Sequence, residues 1–317
     1  MAQHKLILDG DYGIDDSIAA LYLCRRSDVE ILAVGSVHGN ATAADAARNA
    51  ISVLDLGGRP DVPVAVGAGR PMAQAVSISS MVHGDDGLGG VAPSPPPDRR
   101  PVPTPAAVQL IEAVRSHPGE CTVVATGPLT NLALAVLLDP EVPSLVANVV
   151  IMGGTVDHPG NVGPNAEANI AHDPEAAQLV LGADWPVTQV GLDVTMPTWL
   201  GPDDLARVEA STTPTGRFVW GILQHYLAFY AARHRRHGCP VHDPSAALVA
   251  LDPSLAQWFE APVDVELRSL HNRGMLVVDR REFAASERTE ERPPVKIVTA
   301  LDSRRLIDSL LDGLLGD

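Results

Sequence analysis

The sequence predicts an α/β protein with an open, mainly parallel sheet flanked by helices. Apolar strand-like runs alternate with helical stretches through the first two thirds of the chain, a pattern typical of parallel strands joined by helical crossovers. Hydrophobic residues make up 45% of the chain and aromatic residues only 4%, as expected for a core of Ala, Val and Leu. The 317 residues can bury a large core. Because we find no internal repeat and no clear linker, we expect one domain over residues 1–317.

Short apolar runs bounded by turn-forming residues predict six strands, at residues 6–8, 31–37, 62–66, 122–125, 146–152 and 187–190. Helical periodicity predicts helices between them, at residues 17–24, 41–56, 105–116, 129–138 and 173–182. Later in the chain, residues 201–237 are predicted as helices leading to a loop, and residues 245–251 and 303–315 as helices. Residues 263–268 and 274–279 are predicted strands that could pair as a hairpin.

A segment rich in Gly and Pro, residues 84–105, interrupts this alternation. Its Pro95, Pro96 and Pro97 cannot lie in a helix interior or a central strand. We therefore expect a surface loop over the edge of the sheet where ligands bind.

The charge of the chain narrows the class of partner. A net charge of −16 disfavours nucleic acid and anionic membranes as partners, so a small-molecule substrate is favoured.

The three cysteines bear on the cellular location. Cys24, Cys121 and Cys239 are odd in number and far apart, which suits reduced thiols of a cytoplasmic protein. The N-terminal residues do not have the pattern of a signal peptide, and apolar runs are too short to span a membrane. We expect a cytoplasmic protein.

Four carboxylates, Asp9, Asp11, Asp15 and Asp16, follow the first predicted strand within eight positions. Ligands of open α/β sheets bind at the carboxyl ends of the strands. Two carboxylates about 4 Å apart repel each other by roughly 4 kcal/mol at an effective dielectric constant of about 20, so such a group needs a cation. Ca²⁺ or Mg²⁺ would supply it, because both prefer oxygen ligands. Helix capping is the alternative, and it explains one or two of the four acids.

Other strands also end in polar residues. Asn40 lies in a Gly-Asn turn that could contact substrate or could be a plain turn, and Thr126 lies in a Thr-Gly-Pro turn that exposes backbone groups but could simply cap a helix. A loop of amides and one carboxylate would suit a polyhydroxylated ligand, although a solvated loop explains it about as well; its residues are Asn161, Asn165, Glu167 and Asn169. His242 and Asp243 at a helix start could be cap residues or a catalytic pair.

Taken in their order along the chain, these motifs resemble those of the inosine–uridine preferring nucleoside hydrolases, a family of calcium-dependent ribohydrolases. The family's opening Asp-x-Asp-Pro-Gly-x-Asp-Asp corresponds to residues 9–16, with Tyr12 at the proline position. Further matching motifs lie at residues 39–40, 48–50, 83–89, 126–131, 152–154, 166–169, 173–176, 242–244 and 273–279. Ala168 stands where the family often has Phe. The resemblance covers nearly the whole chain and implies the nucleoside hydrolase fold, with the active site at the carboxyl ends of the strands.

The resemblance also implies residue roles. Ca²⁺ would be held by Asp11, Asp16, Asp243 and the Thr126 carbonyl, and Asp11 would be the general base. The substrate-binding residues it implies are Asp15 and Asn169 for the ribose 2′- and 3′-hydroxyls, Asn161 and Glu167 for the 5′-hydroxyl, and Asn40 for the attacking water. His242, with His83 as the second candidate, would protonate the departing base. A homotetramer or homodimer is also implied.

The sequence also allows two other functions. A haloacid-dehalogenase-like, Mg²⁺-dependent phosphatase would use Asp9 as nucleophile, but its motif wants Thr or Val at the position of Gly13 and leaves His242 unexplained. A non-catalytic calcium- or ribose-binding protein would need neither a general base nor a general acid. We therefore favour a hydrolase that releases ribose and a free nucleobase.

Base preference is expected to depend on two mobile loops, around residues 83–89 and 226–237. The purine-specific branch of the family stacks the base between tryptophans. The first of these loops offers His83 instead, and all four tryptophans lie elsewhere; they are Trp185, Trp199, Trp220 and Trp258. This favours a nonspecific or pyrimidine-preferring enzyme.

Overall fold

The computed structural model describes residues 3–93, 96, 98–281 and 292–316. Its strands, in chain order, are β1 His4–Gly10, β2 Val29–Ser36, β3 Val64–Val66, β4 Cys121–Ala125, β5 Val146–Met152, β6 Val187–Val190, β7 Trp199–Leu200, β8 Cys239–Pro240, β9 Ala256–Val265, β10 Leu276–Val278 and β11 Pro294–Leu301. Nine of these form one sheet in the order β10-β9-β11-β6-β5-β4-β1-β2-β3, and β7 pairs with β8. All neighbours from β11 to β3 are parallel, while β9 is antiparallel to both β11 and β10.

Helices cover both faces of the sheet. They are α1 Ile14–Cys24, α2 Ala43–Leu56, α3 Ser80–His83, α4 Ala106–Ser116, α5 Thr130–Leu138, α6 Val142–Leu145, α7 Ala168–His172, α8 Pro174–Leu181, α9 Leu192–Thr195, α10 Pro202–Glu209, α11 Pro214–His234, α12 Asp243–Leu251 and α13 Ser303–Leu315. Several helices begin at a residue that caps them: the Thr42 hydroxyl accepts from Asp45 N at 3.2 Å, and the Thr213 hydroxyl from Gly216 N at 3.0 Å. These caps satisfy backbone donors that the first turn leaves free.

The core has two halves because successive residues of a strand point to opposite faces. On β1, Leu6 and Leu8 pack with α1, α2, α11 and α13, whereas Ile7 packs with α4, α5 and α8. The predicted fold class is therefore confirmed. The six early strands are also confirmed, with ends shifted by at most two residues. The late hairpin is confirmed as a pairing, but its first strand, β9, begins at Ala256, well before the predicted start at residue 263.

Other parts of the fold differ from the prediction. Strand β11 was not predicted, and it lies between β6 and β9. The predicted loop at residues 84–105 lies at the ligand-binding edge only where it begins. Its later part runs beside β3: Arg99 Nη2 donates to the carbonyl of Val62, just before that strand, at 2.7 Å, and Val102 N donates to Val64 O at 2.8 Å. Of its prolines, Pro95 and Pro97 lie outside the described residues.

Two buried histidines lie near the ligand-binding edge of the sheet, His38 after β2 and His172 at the end of α7. His38 Nδ1 donates to the Ala68 carbonyl at 3.2 Å. Within the described part of the chain, His38 Nε2 and His172 Nδ1 have no hydrogen-bond partner. Burial and, to a smaller extent, the nearby His38 together lower the pKa of His172 to about 4.

Acid should therefore destabilise the protein through His172. The pKa of His172 has its ordinary value of 6.5 in the unfolded chain and is about 4 in the folded protein. Below pH 6.5 the unfolded chain thus binds the proton more readily, and the free energy of unfolding falls as the pH approaches 4, by about 3 kcal/mol in all. Comparing urea unfolding of the parent and His172→Gln across this range isolates the effect, which the variant should lack. The exposed His271→Gln serves as the control, and an unchanged pH dependence in His172→Gln would contradict the account.

Candidate active site

The turn between β1 and α1 places Asp11 at the centre of the ligand-binding edge. Asp11 is fully buried, and its two carboxylate oxygens accept hydrogen bonds from Asn40 N at 2.7 Å and Asn40 Nδ2 at 2.8 Å. The turn depends on Tyr12, whose φ of +41° is left-handed and costly for a non-glycine residue. A proline could not adopt that angle, since its ring fixes φ near −65°. The departure at Tyr12 therefore gives this turn a backbone that the usual family residue cannot take.

Three further carboxylates converge beside Asp11. Asp15, Asp16 and Asp243 each offer an oxygen, and these atoms lie within 4.8 Å of one another. Asp16 Oδ1 accepts from the Thr126 hydroxyl at 2.7 Å. A Cβ at Gly10 would lie 2.5 Å from that same oxygen, so only glycine leaves room for the approach.

The electrostatics of this cluster call for a positive charge. Burial, followed by the neighbouring carboxylates, raises the pKa of Asp15 to about 7, and the same causes raise those of Asp11 and Asp243 well above the ordinary range. Asp15 Oδ1 and Asp243 Oδ2 find no hydrogen-bond partner among the described residues. Buried, unpartnered carboxylate oxygens that face one another are the donor set of a hard cation, so these residues fit a metal ion.

Beside the cluster, the loop after β5 supplies further polar groups. Asn169 Nδ2 donates to the carbonyls of Thr126 at 2.9 Å and Met152 at 3.0 Å. The buried Glu167 carboxylate caps α7 and accepts from three backbone amides, including Gly154 N at 2.8 Å. The exposed Asn161 accepts from Ala168 N at 2.9 Å. These bonds hold the loop in place. Glu167 Oε2 accepts two of them, whereas Glu167 Oε1 and Asn161 Oδ1 accept one each and so retain a lone pair for a ligand.

Two histidines border the same space. His242 contacts Thr195 Oγ1 through Nδ1 at 2.8 Å and the Tyr230 hydroxyl through Nε2 at 3.0 Å. His83 Nδ1 accepts from Ile14 N at 3.1 Å, which places the proton of a neutral ring on Nε2. Since that Nδ1 atom carries a lone pair, its 3.8 Å approach to Asp15 Oδ1 is not an ion pair. Burial lowers the pKa of both rings to about 3.

Most of these groups line one cavity of about 390 Å³. Its polar end includes Asp15, Thr126, Asn169 and Asp243, and aromatic side chains of α11 line it as well. The prediction of a loop at residues 226–237 is wrong in its first part, because α11 continues to His234. The aromatic wall is thus presented on a helix, where residues three and four positions apart share a face.

A family model described as the inosine-uridine preferring nucleoside hydrolase matches residues 6–308 of the chain. The chain belongs to this nucleoside hydrolase family.

Individual relatives agree with this assignment. The inosine-uridine preferring nucleoside hydrolase of Crithidia fasciculata is 40% identical over 279 residues, which cover 87% of this chain and 88% of the relative. Probable uridine nucleosidase 2 of Arabidopsis thaliana is 34% identical over 315 residues, or 98% and 97% of the two chains. A solved plant nucleoside hydrolase has a TM-score of 0.94 at 31% identity, covering 99% of this chain and 100% of that one. The chain is therefore an enzyme that hydrolyses ribonucleosides.

Most of the predicted site residues of this nucleoside hydrolase line the cavity itself; they are Asp15, Asn40, His83, Thr126, Asn161, Glu167, Asn169, His242 and Asp243. Asp11 and Asp16 lie beneath them, joined to the lining by hydrogen bonds to Asn40 and Thr126. Asp9 does not line the cavity. Its Oδ2 atom accepts from Asn131 Nδ2 at 2.9 Å, so Asp9 is not positioned as a nucleophile of a phosphatase.

Three residues of the nucleoside hydrolase site were not singled out from the sequence, although Tyr226 and Tyr230 lie within residues 226–237, which were expected to affect base preference. Tyr226 donates from its hydroxyl to Asp15 Oδ2 at 3.2 Å, Tyr230 contacts His242, and Thr195 contacts the other nitrogen of that ring. The spacing of the two tyrosines, four positions apart within a helical stretch, was a signal that could have found them. Nothing in the sequence around Thr195 marks it.

Proposed function

We propose that the protein hydrolyses the N-glycosidic bond of ribonucleosides in a calcium-dependent reaction that yields ribose and a free nucleobase. The observation that carries the proposal is the convergence of buried carboxylates at the floor of a cavity that also has an aromatic wall. Carboxylates suit the ribose, because bond cleavage builds positive charge on the sugar. The aromatic wall suits a planar base. Residues 1–317 act as one domain in this proposal, supported by the single large sheet.

The metal would be held by Asp11, Asp16, Asp243 and the Thr126 carbonyl. All four supply oxygen, the ligand that Ca²⁺ prefers. Asp16 and Asp243 belong to the converging group, whose third member, Asp15, is left for the ribose in this proposal. When bound, the cation would offset the clustered negative charge, orient water and lower the pKa of that water.

Side chains of the protein would activate the water and bind the ribose. Asp11 would accept the proton of the attacking water, and Asn40 fixes the orientation of both Asp11 oxygens. Asp15 and Asn169 would bind the 2′- and 3′-hydroxyls. Asn161 and Glu167 would bind the 5′-hydroxyl from their held loop. This arrangement orients the sugar before reaction, so little entropy is lost on reaching the transition state.

The departing base would receive its proton from His242, with His83 as the second candidate. A chain of hydrogen bonds supports His242: Nε2 contacts the Tyr230 hydroxyl, Tyr230 contacts Tyr226, and Tyr226 donates to Asp15. Hydroxyl groups both donate and accept, and the Tyr230 hydroxyl, whose residue lines the cavity, can therefore pass a proton from His242 Nε2 to a base held there. His83 could instead donate from Nε2, since its Nδ1 atom accepts from the backbone.

A nonspecific or pyrimidine-preferring activity is the substrate preference we propose. In the described part of the chain no tryptophan lines the cavity, and the relatives' names include both inosine and uridine. The deciding experiment measures reducing-sugar release from inosine, uridine and p-nitrophenyl riboside, with p-nitrophenyl phosphate as the comparison. Sugar release is expected; turnover of the phosphate ester alone would refute the proposal.

The purified protein should contain one Ca²⁺ per chain. Asp243→Asn should lower both the calcium content and the activity, because it removes a charged ligand from the cluster. Asp312→Asn, at an exposed surface position, is the matched control. Elemental analysis before and after chelation provides the measurement. Stoichiometric zinc, or full activity after rigorous chelation, would argue against this site.

We propose a cytoplasmic homo-oligomer, tetramer or dimer, that acts on small molecules. All three cysteines are buried and free, as suits a reducing compartment. Exposed apolar side chains on or beside the β9–β10 hairpin, Trp258, Leu270 and Val277, support association with a second copy. No described helix is long and apolar enough to cross a membrane. Sedimentation velocity would give the oligomeric state.

A further inference from the structure

One end of the active-site cavity is basic although the chain as a whole carries a net charge of −16. The C-terminal end of α11 and the residues after it form an exposed basic segment, residues 233–237, with the sequence Arg-His-Arg-Arg-His. Arg233 and His234 line the cavity. Arg233, Arg235 and Arg236 form no ion pair with any residue that the structure describes, so their charge is not offset locally.

Arg233 is held in a definite position at this end. Its guanidinium carbon lies 3.7 Å from the centroid of the Phe229 ring, and Nη2 lies 3.1 Å from Met81 Sδ. Phe229 also lines the cavity. The guanidinium is therefore stacked on the same aromatic wall that would face a nucleobase, with donors that no carboxylate occupies.

The distance between the carboxylates at the cavity floor and Arg233 suits a nucleobase. Tyr226 donates to Asp15, which fixes the ribose end of α11. Arg233 comes seven residues later on the same helix, which corresponds to about 10 Å along the helix axis. A ribose anchored at Asp15 would thus direct its base toward Phe229, and the outer edge of the base toward Arg233.

From this placement we infer that Arg233 makes the enzyme favour ribonucleosides whose base is an anion at neutral pH, such as xanthosine, over neutral ones. A planar guanidinium can donate two hydrogen bonds to the oxygen and nitrogen that share such a charge. The inference rests on the proposed function, because it names the substrate class of the same cavity.

A second reading gives Arg233 only a structural task. Cations at a helix C-terminus interact favourably with the helix dipole. That contribution would stabilise the protein or raise activity on all substrates together. It would not change the ratio between an anionic and a neutral nucleoside, so the ratio separates the two readings.

The test compares kcat/KM for xanthosine and inosine in the full-length protein and in Arg233→Gln. Xanthosine should lose about three- to fivefold, as for a partly exposed charge pair, while inosine stays within about twofold. Arg217→Gln is the matched control: Arg217 is exposed on the same helix, about 24 Å away along its axis. Arg233→Lys should recover part of the xanthosine rate, and added salt should reduce the parent's preference.

Equal losses on both nucleosides in Arg233→Gln, or an equal change of the ratio in Arg217→Gln, would overturn the inference. Retained inosine hydrolysis shows that the variant is folded. If the parent hydrolyses inosine but the ratio does not respond to Arg233, only this inference fails. If the parent hydrolyses no nucleoside, the proposed function fails with it.

Discussion

Asp11→Asn is expected to lower kcat on inosine by about 10²–10⁴-fold, the usual loss when acid–base catalysis is removed. The fully buried Asp11 carboxylate accepts from both nitrogens of Asn40, so it is held in one orientation. An amide there cannot accept the proton from water, and its own NH₂ would face one of the two donors of Asn40, either the backbone N–H or the side-chain NH₂. The substitution also removes one negative charge from the group that would hold the cation. Steady-state kinetics with calcium added in excess would measure the loss.

Asp9→Asn provides the matched control. Asp9 is equally buried and two positions away, but its side chain points to Asn131 and not into the cavity. Burial raises the pKa of Asp9 to about 7, so its charge is only partly present near neutral pH, and the amide should cost much less activity. A larger loss from Asp9→Asn than from Asp11→Asn would instead favour a mechanism in which Asp9 is the nucleophile.

His242→Ala should lower kcat on inosine by about 10²-fold or more while largely sparing p-nitrophenyl riboside. A nucleobase anion is a poor leaving group and gains from a proton donor, whereas p-nitrophenolate departs readily without one. His242 is suited to this step because Thr195 and Tyr230 fix both of its ring nitrogens. Removing the ring breaks the hydrogen-bond chain to Tyr226.

The two substrates supply an internal control, since a folding defect in His242→Ala would lower both rates. Equal losses on both would refute the acid role. If only His83→Ala shows the selective loss, the proton comes from His83 Nε2 instead. Tyr230→Phe, which keeps the ring but removes the hydroxyl that contacts His242, should give a smaller loss of the same selectivity if His242 acts through that chain.

The parts of the fold that could be predicted are those governed by short-range patterns. The apolar runs that became β1 to β6 are buried on both faces, which makes them continuous in sequence. β11 was missed because Pro294–Leu301 contains Pro294, Lys296 and Thr299 among its apolar residues, and its register depends on β9 and β6 together. Partners that distant in sequence cannot be inferred from a local pattern.

The candidate site also contains residues that could be predicted from the sequence and residues that could not. Asp11, Asn40 and Thr126 could be grouped from the sequence because parallel strands deliver their carboxyl ends to one edge. Tyr226 and Tyr230 come from a long helix that packs across that edge, and the position of such a helix is decided by tertiary packing. Thr195 reaches His242 only because α9 and α12 meet after the chain has folded.

The place of β11 in the sheet affects how the protein folds while it is being synthesised. It comes after the β9–β10 hairpin in the chain yet lies between that hairpin and β6. A nascent chain that has not reached Pro294 leaves the backbone of β6 open along one side, and the hairpin has no strand to join. On the ribosome, that open edge can pair with another nascent chain. Completion of the sheet must therefore wait until residues 294–301 have been synthesised, and a chaperone that covers the open edge until then would prevent such pairing.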